Sequence, residues 1–232
     1  MMDEQASRRE LWAALPAPSL YYIHTVELLD RRGIADCYRC ISAVVQGGCR
    51  IAQLRYKGAW SPEVVELGAH FIHDFDGSDC LLLLNNQAEW ARAIGAHGVH
   101  VGLSRGDTAP HLARQIIGRE AILGVTAKTP EARAAAIAVG ADYVSWGALF
   151  PSTTKPEAIP GALEEIGSIK RALPAGMRLC AIGGIDVTTI ARVAREGPDL
   201  IAAGAALQLA ADVELETIKL IDALRIAREV TS

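Results

Sequence analysis

From Leu20 onward, short unbroken apolar runs alternate with longer stretches in which apolar residues recur every three or four positions. The runs are Leu20–Thr25, Arg50–Lys57, Leu81–Asn86, Gly98–Gly102, Ala121–Thr126, Tyr143–Phe150, Arg178–Ile182 and Leu200–Ala203. Runs of this length, bounded by turn residues, read as strands buried on both faces. The intervening stretches read as helices over Asp36–Gln46, Ser61–His73, Gln87–Ile94, Ala109–Ile117, Thr129–Gly140, Gly161–Leu173, Thr188–Arg195 and Val213–Glu229. Ser61-Pro62-Glu63 and Thr129-Pro130-Glu131 are helix starts, and Gly47-Gly48 is a helix stop. A short leading helix, Ser7–Leu15, is ended by Pro16 and Pro18.

Eight strand–helix units in succession predict parallel strands covered by helices, which close naturally into a (β/α)8 TIM barrel of the α/β class. The domain reading is a leading segment 1–18 followed by one barrel over 19–232, with no linker or charge block marking a second domain. A doubly wound open sheet is the alternative, since periodicity does not reveal closure.

Composition narrows the function. Half of the 232 residues are hydrophobic, enough for a large core, and the net charge of −4 gives no general basic face for nucleic acid. The polar start and the lack of any long apolar run predict neither a signal segment nor a membrane span. Five scattered cysteines fit reduced thiols in the cytoplasm. Cys37-x-x-Cys40 sits in a helical stretch without a second ligand pair, which argues against a metal or redox role. Trp60, Trp90 and Trp146 are expected in the core. A homo-oligomer is left open, because helix faces on a barrel can pair without a clear pattern.

In a barrel of this kind the chemistry lies at the C-terminal ends of the strands. The second strand ends in Gln53, Arg55 and Lys57, which strand period places on one face. Two cations and an amide there suit an anionic ligand, or else pair with internal carboxylates. Asn85 and Asn86 end the third strand, His100 lies in the fourth, and Thr126 ends the fifth with Lys128 beyond it. His100 is either a site group or a hydrogen-bonded barrel histidine. After the sixth strand, Pro151 is followed by Ser152, Thr153, Thr154 and Lys155, a set suited to clamping phosphate. Gly183-Gly184 and Gly204-Ala205 turn away from the seventh and eighth strands, where such barrels often hold phosphate. The helix start at Asp186–Thr189 is expected to aim its N–H groups at the anion. The residues alone thus predict a barrel enzyme acting on small phosphorylated molecules.

The segments QLRYK, LLNN, AIGAHGVHVG, ADYVSWGALFPSTTK and AIGGI, in this order and spacing, resemble the thiamine-phosphate synthase family nearly from end to end. The resemblance implies condensation of hydroxymethylpyrimidine diphosphate with thiazole phosphate, releasing pyrophosphate, with Mg2+ as cofactor. It implies that Gln53, Arg55, Lys57 and Asn85 hold the diphosphate and that Thr126 lies near the reacting centre. Ser152, Thr154 and Lys155 would contact phosphates, Lys155 on the leaving pyrophosphate, while Gly184, Gly204 and Ala205 would hold the thiazole phosphate through backbone N–H groups. The catalytic set it implies is Lys155, Arg55 and Thr126. Two positions depart from the family pattern. Asn86 stands where the family has a magnesium-binding aspartate, and Arg105 falls at the second acidic position, with Leu103 where a glutamine is usual and Asp107 two residues beyond. The metal ligands carried over are therefore Asp107 and Asn86, or Arg105 replaces the metal's charge. A sister family, the thiazole tautomerase, shares the glycine turns, but its histidine position here is Lys128. A non-catalytic paralogue binding thiazole or thiamine phosphate is the remaining alternative.

Overall fold

The computed structural model describes residues 7–26, 34–58, 60–75, 78–104, 106–151 and 161–231. Arg105, Ser152, Thr154 and Lys155 lie outside these residues. The elements, in order, are α1 (Arg8–Ala14), β1 (Ser19–Thr25), α2 (Ile34–Gln46), β2 (Ile51–Arg55), α3 (Pro62–Asp74), β3 (Leu81–Asn85), α4 (Ala88–Ala93), β4 (Gly98–Val101), α5 (Pro110–Ile117), β5 (Ile122–Thr126), α6 (Pro130–Ala138), β6 (Tyr143–Trp146), α7 (Glu165–Ala172), β7 (Arg178–Ile182), α8 (Ile190–Arg195), β8 (Leu200–Ala203), α9 (Ala205–Gln208) and α10 (Val213–Thr231). All eight strands pair in parallel with their sequence neighbours, and β8 pairs back to β1 with Leu200 opposite Ser19. The sheet is closed, so the doubly wound alternative is set aside.

Strand alternation divides the core in two. Residues such as Tyr22, Ala52, Leu54, Leu82, Leu84, Val99 and Val125 point outward into the layer shared with the helices. Tyr21, Ile51, Leu81, Leu83, Ile122, Tyr143, Cys180 and Leu200 fill the inside of the barrel. Helix α1 plugs its lower end. Trp12 and Leu15 join the inner cluster, and the Trp12 ring lies 5.7 Å from that of Tyr143. Arg178 fixes the plug, its guanidinium 4.9 Å from the Trp12 ring centre and donating to the carbonyls of Trp12 (2.8 Å) and Leu15 (3.0 Å). Arg9 pairs with Asp142, which also receives Arg114 Nη2 at 2.8 Å and the Leu123 N–H at 2.7 Å.

Three expected boundaries shift. Strand β2 stops at Arg55, so Lys57 lies past it in an exposed position that strand period does not govern. Strand β6 stops at Trp146, and the apolar residues after it turn so that the Leu149 and Phe150 amides reach the Ile182 and Gly183 carbonyls at 3.0 and 2.9 Å. The turn after β8 coils into the one-turn helix α9. Trp90 is not in the core: it is 41% exposed on α4.

Candidate active site

The upper ends of the strands bring most of the expected residues together. Gln53 and Arg55 point inward with Ile51, opposite in sense to Ala52 and Leu54, which belong to the outer layer. Gln53 is 2% exposed and donates from Nε2 to the Tyr21 hydroxyl at 2.6 Å. Arg55, half-buried at the rim, donates from Nη1 to Thr25 Oγ1 at 3.4 Å. Thr25 is itself held by Gln208, whose Oε1 accepts the Thr25 N–H (3.0 Å) and whose Nε2 donates to the Thr25 carbonyl (2.6 Å). Neither Thr25 nor Gln208 was expected in the site. Thr25 lies in register with Arg55 across the first strand pair.

His100 and Thr126 share the mouth between β4 and β5. His100 Nε2 lies 3.0 Å from Thr126 Oγ1, and its Nδ1 lies 3.0 Å from the Tyr143 hydroxyl. The imidazole stacks on the Tyr143 ring at 5.5 Å. Tyr143 in turn meets the Tyr21 hydroxyl at 2.8 Å, and Ser145 Oγ lies 3.4 Å from Thr126 Oγ1. Gly124 makes this arrangement possible, because a Cβ there would overlap the Tyr143 ring. Burial pushes both tyrosine hydroxyls well above the ordinary phenol range, so both stay protonated. Both tyrosines were missed by the sequence reading. Their strand period alone marks them as inward-facing.

The β3–β4 corner is built on Asn86, whose φ of 59° suits asparagine. Its Oδ1 accepts the Gly102 N–H at 3.0 Å and its Nδ2 donates to Asp107 Oδ1 at 2.5 Å. Asp107 Oδ2 accepts the Ser104 N–H at 2.7 Å, and Thr108 Oγ1 donates to the Asn86 carbonyl at 2.9 Å. This donor set does not fit a magnesium site built on paired carboxylates. One of the two positions is an amide that presents hydrogens to the other, and the lone carboxylate already receives two fixed donors. Among the described residues no group of three or more His, Cys, Asp or Glu could hold a metal ion.

The phosphate end departs from expectation at one point. The Thr188 and Thr189 N–H groups are taken by Asp186 Oδ1 at 2.9 and 3.1 Å, and the Asp186 N–H goes to Thr189 Oγ1 at 3.0 Å. An aspartate with threonines two and three residues on caps its own helix start, so these N–H groups do not face a ligand. Gly184, with φ of 65°, packs where a Cβ would strike the carbonyls of Phe150 and Pro151. It thereby fits closely against the chain at Phe150 and Pro151. Gly204 and Ala205 sit half-buried at the head of α9. Asn85 points inward at the end of β3, paired in register with His100.

Comparison with known proteins gives the family and the fold. The sequence model of the family described as thiamine monophosphate synthase matches residues 22–207. The chain is 37% identical over 187 residues to thiamine-phosphate synthase of Halorhodospira halophila, covering 80% of this chain and 88% of that one. It is 34% identical over 188 residues to thiamine-phosphate synthase of Thioalkalivibrio sulfidiphilus, covering 81% and 87%. Among solved structures, thiamine phosphate pyrophosphorylase from Pyrococcus furiosus superposes with a TM-score of 0.77 at 27% identity, covering 90% of this chain and 96% of that one.

Proposed function

The chain belongs to the thiamine monophosphate synthase family, and from that premise we propose that it joins hydroxymethylpyrimidine diphosphate to thiazole phosphate. The bond from the pyrimidine methylene to the diphosphate oxygen breaks, and its electron pair leaves with pyrophosphate. The thiazole nitrogen then supplies the pair for the new C–N bond. The observation that carries this reading is the inward-facing Gln53–Arg55 pair on one side of a closed barrel's mouth, with Thr126 and His100 across from it.

In this proposal Arg55, Lys57 and Lys155 stabilise the charge gathering on the departing diphosphate, with Gln53, Asn85, Ser152 and Thr154 in contact with it. Thr126 lies against the reacting centre. Gly184, Gly204 and Ala205 hold the thiazole phosphate through the backbone. No step is assigned to Mg2+, and Arg105, outside the described residues, is the proposed stand-in for the metal's charge. The substrates are small phosphorylated molecules rather than nucleic acid, and the five buried, unbridged cysteines support a reducing cytoplasmic setting. No helix among the described residues is long and apolar enough to cross a membrane.

The test is pyrophosphate release and thiamine-phosphate formation with both substrates, in Mg2+ and in chelator. Product is expected in both, with Arg55→Ala and Lys155→Ala each lowering kcat/KM by about ten- to a hundred-fold, the worth of one charge-assisted hydrogen bond. Tautomerised thiazole phosphate as the sole product would transfer the chain to the tautomerase reading. Saturable binding without turnover would make it a binding paralogue.

A further inference from the structure

A continuous line of hydrogen bonds crosses the barrel interior from one side of the mouth to the other. It runs Gln53 Nε2, Tyr21 hydroxyl, Tyr143 hydroxyl, His100 Nδ1, then from His100 Nε2 to Thr126 Oγ1, at 2.6, 2.8, 3.0 and 3.0 Å. Each tyrosine hydroxyl has one proton and sits between two partners, so the direction of one link sets the next. At the Gln53 end the amide nitrogen can only donate. Tyr21 therefore gives its proton to Tyr143, and Tyr143 gives its own to His100 Nδ1. The remaining imidazole proton is then on Nε2, directed at Thr126. Thr126 Oγ1 also lies within reach of Ser145 Oγ, at 3.4 Å. With both neighbours donating, the Thr126 hydroxyl proton turns toward the half-exposed mouth.

We propose that Tyr143, backed by Tyr21 and Gln53, is a positioning residue that holds His100 as the neutral Nε2–H tautomer, so that Thr126 meets the substrate as a hydrogen-bond donor. The ligand atom it meets is then an acceptor: an aromatic ring nitrogen or a phosphate oxygen. This rests on the synthase reading for its catalytic consequence, but the wiring itself does not. Tyr143 and Tyr21 are 0% and 1% exposed, so they reach the substrate only through His100 and Thr126. Trp12 packs behind Tyr143 at 5.7 Å and fixes the ring from below.

The experiment is nitrogen NMR of histidine-labelled protein near neutral pH, with the His100 signal assigned by its loss in His100→Gln. The wild type is expected to show the Nε2–H pattern. Tyr143→Phe keeps the ring and its packing but should convert His100 to a tautomer mixture. Its kcat should fall about ten-fold, with KM for either substrate changing by less than about two-fold, as befits one hydrogen bond lost behind the transition state. Tyr22→Phe, equally buried but facing outward, should leave the His100 signal unchanged. An Nδ1–H or doubly protonated His100 in the wild type would overturn the proposal, as would wild-type kcat in a folded Tyr143→Phe. If the wild type forms no product, the synthase reading falls and the tautomer alone decides the wiring.

Discussion

A single amide, Asn86, sets a hydrogen-bond donor against a carboxylate. Its Nδ2 stands 2.5 Å from the Asp107 carboxylate, where a second carboxylate would repel it. Asn86→Asp preserves the backbone, since aspartate also tolerates a φ of 59°. It places two like charges in contact, which raises the pKa of one of them and costs roughly 1–2 kcal/mol at neutral pH. Tm in chelator should fall by about 2–8 °C. Mg2+ should restore it in the variant while moving the wild type much less. An unchanged Tm in chelator would show that the corner tolerates the added charge. No alternation of apolar and polar residues could have revealed this corner, because its bonds link Asn86 to Gly102, Asp107 and Thr108 through side-chain geometry.

At the scale of elements, the strands were legible and their ends were not. Tyr143–Phe150 is one apolar run, yet it holds a four-residue strand and an irregular segment, because periodicity records burial and both are buried. The same ambiguity carried Lys57 onto a face that ends at Arg55. Helix α9 was hidden in a glycine–alanine turn, and with it Gln208, which holds Thr25. Helix α1 was expected as a leading helix, but nothing in its local pattern marks Trp12 as the filling of the barrel floor. Trp12→Ala should cost about 3–5 kcal/mol as a buried aromatic truncation, lowering Tm by roughly 10 °C in a chain of this size. Thermal unfolding checks this, and a loss below about 1 kcal/mol would mean that the plug does not carry the floor.

For the whole molecule, closure of the ring fixes which groups are sealed from water. His24 is 0% exposed on the outer face of β1, its Nδ1 2.8 Å from the Tyr22 hydroxyl and its Nε2 without a partner among the described residues. Burial lowers its pKa from 6.5 to about 3. The unfolded chain therefore binds a proton that the folded barrel refuses between these values. Stability from this group is complete above pH 6.5 and is lost as pH falls toward 3, by up to about 1.4 kcal/mol per pH unit. Urea unfolding of wild type and His24→Leu at pH 7, 5.5 and 4.5 should show the shallower decline in the variant. Equal slopes would remove His24 as a source of acid sensitivity.

The plug also imposes an order in time. Helix α1 leaves a ribosome before any strand of the barrel, but the ring it covers includes Tyr143, Arg178 and Leu200. Through most of synthesis Trp12 and Leu15 have no floor to cover, and they remain apolar surface on a growing chain. Docking must wait until β7 has emerged, and the lower end is complete only when β8 pairs with β1. A helix made before every strand is thus among the last to settle. Amide protection in α1 during refolding should accordingly trail that of the strands above it.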